Sequence, residues 1–378
     1  MLSIILKGTN GCNLACSYCS LGKKKNVEKP TKEKMYEIMH YACELCRYIS
    51  EDKLCFILHG GEPTLIPCSI YDNAIAKIKE EYQDLTIELS MQTNGYFLSE
   101  DWIDFFIKHD VSVGVSVDGD ASIHDKERNT IRGERTFYIV QNNINRLLEN
   151  NIHVACLMVL TSNALLEDYS FLEYYAEKKL HLKINPLLDY GEVYEHPELS
   201  LKSGQYADYL IKLYEYILKQ DIDVHISPID KILQGILHNE GRIRECSFNE
   251  HCNEHFLCID FKGELYPCGK FSDMDKFRLG NIADKNYDIF SSPIIRMLLN
   301  RRKKQLPEKC KKCDYISLCH AGCNAEACIH GSLHQEPAMC SDYIQLFDYF
   351  TNRGLRLLKE ELIKQKEKLI GDLKNNGV

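Results

Sequence analysis

In 378 residues there is a single tryptophan, only ten prolines, and no apolar run approaching the ~18 residues that a membrane-spanning helix needs. A basic excess is missing too: 46 Lys and Arg face 55 Asp and Glu, for a net charge of −9. That balance disfavours a generic binder of nucleic acid or of an anionic membrane, and no basic, aromatic-rich stretch offsets it. The opening run, Met1-Leu-Ser-Ile-Ile-Leu-Lys7, lacks the basic start, long apolar region and small-residue cleavage site of a secretory signal. Together these absences point to a cytoplasmic chain whose thiols stay reduced. Disorder is excluded by the 44% hydrophobic and 10% aromatic content. What the sequence has in excess is cysteine, 18 in all. In a reducing compartment such a number indicates metal or redox chemistry rather than a disulfide scaffold.

Through residue 230 the chain alternates short apolar runs with amphipathic stretches. Strands are expected at Ser3–Lys7, Leu54–His59, Thr86–Gln92, Val111–Val117, His153–Val159 and His181–Pro186. Helices are expected at Lys32–Ile49, Ile70–Tyr82, Glu100–Lys108, Thr136–Glu149 and Leu166–Lys179. Serial strand–helix units give a parallel sheet with right-handed crossovers, here an α/β fold of partial (β/α)6 TIM-barrel type. Functional residues then belong at the C-terminal ends of the strands. From Cys246 to Cys340 the alternation stops and ten of the cysteines accumulate. A hairpin is expected there, with Phe261-Lys-Gly-Glu264 turning between Phe256–Ile259 and Leu265–Tyr266. Helical periodicity returns over Ser341–Lys374, read as a C-terminal helix pair. The domain reading is 1–230, 231–345 and 346–378.

Cys12-Asn-Leu-Ala-Cys16-Ser-Tyr-Cys19 places three thiols on a loop directly after the first strand. Structural zinc wants four ligands and usually CxxC pairs, whereas a four-iron cluster held by three thiolates keeps one iron open. In this feature the sequence resembles the radical S-adenosylmethionine (SAM) superfamily, and other strand-end motifs agree. The resemblance implies that Cys12, Cys16 and Cys19 ligate a [4Fe–4S] cluster whose fourth iron is chelated by SAM. It implies that Tyr18 lies against the adenine and that Gly60-Gly61-Glu62-Pro63 binds the SAM amino group. Gln92-Thr-Asn94-Gly95 and Ser116-Val-Asp118-Gly119 end the next two strands, with Ser116 assigned to the ribose. His124-Asp-Lys-Glu-Arg128 matches a stretch whose arginine pairs with the SAM carboxylate.

The C-terminal cysteines resemble the SPASM domain, an extension with two auxiliary [4Fe–4S] clusters, so that three clusters are implied in total. Carried over by position, one auxiliary cluster uses Cys252, Cys258, Cys268 and Cys323, and the other Cys310, Cys313, Cys319 and Cys340. Cys246 is an alternative to Cys258, and some relatives leave one iron of that cluster open. The seven unassigned thiols, Cys43, Cys46, Cys55, Cys68, Cys156, Cys328 and, unless it replaces Cys258, Cys246, are read as bystanders, the first two as buried helix thiols despite their CxxC spacing.

The implied activity is reductive SAM cleavage and hydrogen abstraction from a peptide or protein substrate, with a flavodoxin- or ferredoxin-type electron donor. The auxiliary clusters would take electrons from the substrate radical or ligate the substrate. Two outcomes compete. In anaerobic sulfatase-maturating enzymes, which make formylglycine, an aspartate follows the cysteine of the Gly-x4-Cys motif as the proposed base; here Cys268 is followed by Gly269. The Tyr266-Pro-Cys-Gly-Lys-Phe271 segment looks more like maturases of ribosomally made peptides, which install thioether or carbon–carbon crosslinks, and that reading is preferred. The chain begins at its first strand, so leader recognition would fall to a separate protein. Asp189, Asp260 and Asp273 are unranked base candidates, and Asn185-Pro186 and Asp189-Tyr190 are expected to line the barrel mouth. From other classes, a zinc-binding interaction protein or an electron-transfer iron–sulfur protein would lack a use for Glu62, Ser116 and Arg128.

Overall fold

The computed structural model describes residues 1–22, 27–166, 168–237, 242–272 and 274–375. Six parallel strands form in the expected places: β1 Leu2–Lys7, β2 Lys53–His59, β3 Thr86–Thr93, β4 Ser112–Ser116, β5 Val154–Leu160 and β6 His181–Pro186. Each strand has two unlike faces. Leu2, Ile4 and Leu6 of β1 are fully buried, as are Leu54, Phe56 and Leu58 of β2 and Cys156, Met158 and Leu160 of β5. This face packs under the helices, where each enclosed aliphatic side chain contributes roughly 1.5–3 kcal/mol. The register puts Lys7, His59, Gln92, Ser116, Val159 and Asn185 on the opposite face, which is therefore polar at its C-terminal end. An apolar face against helices and a polar open face are what a half-barrel with an interior site requires.

The helices that cover the sheet are α1 Lys32–Tyr48, α2 Cys68–Glu81, α3 Glu100–His109, α4 Ala121–Glu127, α5 Phe137–Glu149, α6 Leu172–Glu177, α7 Gln205–Gln220 and α8 Ile229–Leu237. Thr31 caps α1 by accepting from the Lys34 amide at 3.2 Å, and Asp120 caps α4 through the Ser122 and Ile123 amides. The helix expected over Leu166–Lys179 is shorter. A 3-10 turn takes Ser162–Leu166, Asp168 accepts from the Ser170 amide at 3.0 Å, and Tyr169 adopts φ +66°. That turn chemistry competes with helix, so only Leu172–Glu177 is helical.

The sheet continues past the six strands on both edges. β7 (His225–Ser227) pairs with β6, and β8 (Phe256–Asp260) runs parallel to β1, with Ile5 opposite Cys258 and Lys7 opposite Asp260. β8 turns into β9 (Glu264–Tyr266), and β10 (Gly280–Asn281) follows on the outer edge. The turn is the expected one, with Gly263 at φ +85° and the Asp260 carboxylate accepting the Lys262 and Glu264 amides, both at 2.9 Å. The cysteine-rich segment is thus stitched into the same ten-stranded sheet as the barrel strands. It then continues through α9 Pro293–Lys303, α10 Glu308–Lys311, α11 Ile316–Cys319 and α12 Asn324–His330. The C-terminus forms α13 (Cys340–Tyr349) and α14 (Leu355–Asn375), joined by a π-type turn at Phe350–Gly354. Among the described residues no helix is long and apolar enough to cross a membrane.

Candidate functional site

The three-cysteine loop leaves β1 and is clamped from two sides. The Ala15 amide donates to the Asn129 carbonyl at 2.8 Å and the Ser17 amide to the Glu127 carbonyl at 3.0 Å. From the β2 side, the Gly61 amide donates to Thr9 at 2.9 Å and the Glu62 amide to Gly11 at 2.8 Å. Gly60 and Gly61 are required by this contact. A Cβ at Gly60 (φ +135°) would stand 2.5 Å from the Thr9 carbonyl oxygen, and one at Gly61 only 2.0 Å from that of Gly11. The GGEP glycines thus bring the β2 loop against the cysteine loop. Burial pushes the Cys12 thiol up to about 12 and Cys16 to about 11, and charge on neighbouring thiols adds to the rise. Three crowded, reluctant thiols are what iron ions would turn into thiolates, so the donor set fits a cluster. The Leu14 amide at 3.4 Å and the Asn94 side-chain amide at 3.5 Å already donate to the Cys12 sulfur.

Glu62 is fully buried, and burial raises its pKa against four hydrogen bonds that lower it. Oε1 accepts from the Thr64 amide (3.1 Å), the Thr64 hydroxyl (2.7 Å) and the Thr93 hydroxyl (2.7 Å); Oε2 accepts only from the Asn94 amide (2.7 Å). A carboxylate offers about four acceptor sites, two on each oxygen. Among the described residues Oε2 is therefore the less occupied of the two oxygens.

At the end of β4, fully buried Asp118 organises three elements. Its Oδ1 takes the Val159 amide at 2.9 Å, and its Oδ2 takes Arg128 Nε at 2.8 Å together with the Tyr18 hydroxyl. The Arg128 guanidinium lies 5.3 Å from the Tyr18 ring centroid. Tyr18 is thereby fixed to Asp118 and Arg128. The Ser116 hydroxyl accepts from the Gln92 amide at 3.0 Å on the open face. Pro63 begins a short 3-10 turn, buried behind Glu62. Two other residues of the His124–Arg128 stretch act as supports, a role the motif does not mark. His124 takes the Asp118 amide on Nδ1 (3.2 Å) and contacts Thr136 through Nε2 (3.0 Å), and burial lowers its pKa to about 4. Buried Glu127 receives Ser17 and, at 2.6 Å, Asn163.

The auxiliary thiols fall into two groups. Cys310, Cys313, Cys319 and Cys340 line one cavity of about 420 Å3 with Tyr315, Pro337 and Phe347, which suits four ligands of one cluster. In the second group Cys268 packs against the hydrophobic cluster that holds Cys323; Asn253, next to Cys252, donates to the Pro267 carbonyl at 3.3 Å and accepts from Asn324 at 3.2 Å, while Ser247, next to Cys246, shares Glu326 with Lys270. Cys258 is fully buried in mid-β8, in register with Ile5 and Tyr266. Cys246, Cys252, Cys268 and Cys323 thus share one neighbourhood, which favours the Cys246 alternative that the six-residue spacing leaves open beside Cys258. Beside that group, fully enclosed Glu326 accepts from Ser247 (3.2 Å), Lys270 (3.2 Å) and Tyr343 (3.0 Å).

Gly269 adjoins the open face of the sheet. A Cβ there would stand 3.1 Å from Ile5 Cδ1, and its carbonyl accepts from Ser272, which in turn accepts from Lys7, both at 2.7 Å. Close by in register, His59 accepts the Gly60 amide on Nδ1 at 2.7 Å, and burial and the Lys7 charge lower its pKa to about 4. Of the base candidates, Asp260 caps the hairpin turn, Asp189 accepts from Ser200 at 2.6 Å, and Asp273 lies outside the described residues. Asp189 lines a cavity of about 530 Å3 that reaches Cys340, and Asp260 one of about 600 Å3 that reaches Lys7 and Tyr266.

Comparison with known proteins adds the following. The radical SAM superfamily matches residues 6–201, and the SPASM iron–sulfur cluster-binding domain matches residues 236–314. A cysteine-type anaerobic sulfatase-maturating enzyme of Clostridium perfringens strain 13 is 30% identical over 370 residues, 92% of this chain and 96% of that protein. A serine-type counterpart of Bacteroides thetaiotaomicron is 25% identical, covering 94% and 90%. Among solved structures, native anSMEcpe with bound AdoMet and Cp18Cys peptide superposes with a TM-score of 0.81 at 26% identity, covering 95% of this chain and 98% of that one. SuiB of Streptococcus suis shares the fold, with a TM-score of 0.65 at 14% identity over 90% of this chain and 77% of that one.

Proposed function

The chain belongs to the radical SAM superfamily, and from that membership we propose a peptide or protein maturase that oxidises its substrate by two electrons to form a thioether or carbon–carbon crosslink. Bound SAM, reduced at a four-iron cluster, supplies a 5′-deoxyadenosyl radical that takes hydrogen from an unactivated C–H. In this reading Cys12, Cys16 and Cys19 hold the cluster. Glu62 receives the methionyl ammonium at Oε2. Arg128, held through Nε by Asp118, turns its remaining donors to the carboxylate. Tyr18, Gly60, Gly61, Pro63, Asn94 and Ser116 complete the cofactor wall. Cys246, Cys252, Cys268 and Cys323 hold one auxiliary cluster, and Cys310, Cys313, Cys319 and Cys340 the other. The substrate is a peptide, presented alone or with a separate leader-binding protein, and the electron donor is of flavodoxin or ferredoxin type.

The observation that carries the crosslinking outcome is Gly269. No carboxylate follows Cys268, and the nearest side chain to a Cβ there is Ile5. A second reading, oxidation of a cysteine or serine to formylglycine, is favoured by the near full-length similarity to sulfatase-maturating enzymes. The test is anaerobic turnover of the reconstituted chain with SAM, on peptides encoded beside its gene and on a sulfatase peptide. Loss of two hydrogens with 5′-deoxyadenosine release and no aldehyde supports crosslinking. An aldehyde at cysteine or serine overturns it in favour of the second reading.

A further inference from the structure

Two adjacent arginines at the end of α9, Arg301 and Arg302, are 2% and 4% exposed. Their hydrogen bonding differs sharply. Arg301 spends its guanidinium on the chain: Nε on the Leu333 carbonyl (2.9 Å), Nη1 on the Ala321 carbonyl (2.8 Å) and Asn324 (3.2 Å), and Nη2 on the Gln335 carbonyl (2.7 Å). It is a clamp on the loop through Cys319 and Cys323. Among the described residues Arg302 makes one bond, from Nη1 to the Asn249 carbonyl at 2.7 Å, while Nε and Nη2 are buried with no partner. A buried charged donor without an acceptor costs more than a neutral one, so such a group implies an acceptor that the polypeptide does not supply.

The neighbourhood identifies the acceptor's chemistry. Asn249 lies between Cys246 and Cys252, and the same carbonyl that takes Arg302 also takes the Cys252 amide at 3.1 Å. The Arg302 charge acts on Cys252 and Cys323 of one auxiliary group and on Cys319 of the other. Arg302 is bonded beside Cys252, and the adjacent Arg301 holds the Ala321 carbonyl between Cys319 and Cys323, so the arginine pair adjoins both thiol groups, with donors to spare on Arg302 and a charge opposite to that of thiolate-ligated clusters.

We propose that Arg302 is a positioning residue shared by the two auxiliary clusters, donating N–H bonds to their sulfur through Nε and Nη2 and raising their reduction potentials. This rests on the auxiliary ligand sets proposed above. A fixed cation beside a cluster favours the form that carries the extra electron, and hydrogen bonds to sulfur act in the same direction. In this place one residue keeps both ready to accept an electron from the substrate side. The sequence hint is slight, an Arg-Arg pair eight residues before Cys310.

The test uses the full-length, fully reconstituted chain with Arg302→Met and Arg302→Lys variants. Iron is counted, and the auxiliary clusters are titrated potentiometrically with detection by electron paramagnetic resonance. Arg302→Met is expected to make reduction of at least one auxiliary cluster tenfold less favourable, about 59 mV for a one-electron couple. Arg302→Lys, which keeps the charge, is expected to recover most of that loss. Met-variant potentials equal to the parent's at full iron overturn the proposal, as does a Lys variant shifted as far as the Met variant. If the Met variant fails to load iron, a Lys variant that loads fully with near-parental potentials still supports the charge role. A parent chain holding only four irons has no auxiliary clusters, which overturns the ligand assignment and this inference with it.

Discussion

Asp118→Asn is the most informative single perturbation of the SAM-side site. The change is nearly isosteric, so no cavity arises and only charge and hydrogen bonding alter. Asp118 is fully enclosed, and both oxygens are taken by donors: Val159 N–H on Oδ1, Arg128 Nε and the Tyr18 hydroxyl on Oδ2. Whichever way the asparagine amide turns, its NH2 faces a donor on one side. Arg128, 7% exposed, meanwhile keeps its charge with no counter-charge. Removing one partner of a buried pair costs about 3–5 kcal/mol, a large part of the ~5–15 kcal/mol that holds a typical domain together. Because Asp118 also anchors Tyr18 in the cysteine loop, SAM affinity should fall with stability. Urea unfolding followed by circular dichroism, beside equilibrium SAM binding, reads both. The decisive comparison adds Arg128→Met to Asp118→Asn. Removing the stranded cation should recover at least half of the lost stability while SAM binding stays weak. A double variant no more stable than Asp118→Asn would refute the argument that the uncompensated charge is the cost.

Glu62→Gln should weaken SAM binding about tenfold or more by removing a charge-assisted acceptor, measured by equilibrium dialysis, with a smaller loss of stability since three neutral donors can still be served. Cys246→Ser should cost the reconstituted chain one cluster, about four of ~12 irons, whereas Cys258→Ser should keep them all; the reverse outcome would make the strand cysteine the ligand. On acidification the sign follows from His124, whose pKa falls from 6.5 in the unfolded chain to about 4 in the folded one. The unfolded state binds the proton first, so stability present above pH 6.5 is lost as pH drops toward 4. This amounts to about 1.4 kcal/mol by pH 5.5. A His124→Gln variant should show a flatter fall in melting temperature between pH 7.5 and 5.5. Gly269→Asp should fold at a cost of roughly 1–3 kcal/mol as Ile5 gives way, and should leave 5′-deoxyadenosine release intact. Aldehyde formation on a sulfatase peptide by this variant alone would tie the two outcomes to this position.

The six barrel strands were legible because each is an apolar run bounded by turn residues, and their order follows from the crossover rule. The C-terminal hairpin was legible from Lys262-Gly263, but its place beside β1 was not. A parallel pair between residues about 250 apart in sequence leaves no local signal, and only the register of Ile5 with Cys258 reveals it. The same fact bears on the ligand choice. Spacing makes Cys246, Cys252 and Cys258 equivalent at six-residue intervals, and only the strand, which fixes Cys258 in mid-β8, distinguishes it from the other two. Tyr18 shows a different limit: its motif position is plain, but that its hydroxyl pairs with Asp118, a residue of another strand-end motif 100 positions away, carries no local signal. Buried polar residues such as His124, Glu127 and Glu326 look like surface residues in sequence, because a charged letter carries no mark of its partner.

The two metal-binding regions are built on different polar principles. Around Cys12, Cys16 and Cys19 the polypeptide satisfies itself: Glu62 has four donors, Asp118 has Arg128 and two more, Glu127 has Ser17 and Asn163, and backbone bonds clamp the loop on both sides. Such a loop holds its shape before any cofactor arrives and spends little binding energy on ordering, as suits a site whose cofactor is exchanged at each turnover. The auxiliary region is not self-sufficient. Among the described residues Arg302 has two orphaned donors, the Cys246 thiol raises the pKa of Cys252, and burial raises that of Cys268, Cys319 and Cys323, which nearby cations offset only in part. Those debts are settled only when clusters bind, so there the metal's binding energy is folding energy. Iron removal should therefore loosen the C-terminal cysteine segment in hydrogen exchange well before the strand ends around Glu62 and Asp118, and equal loosening of both would contradict this division.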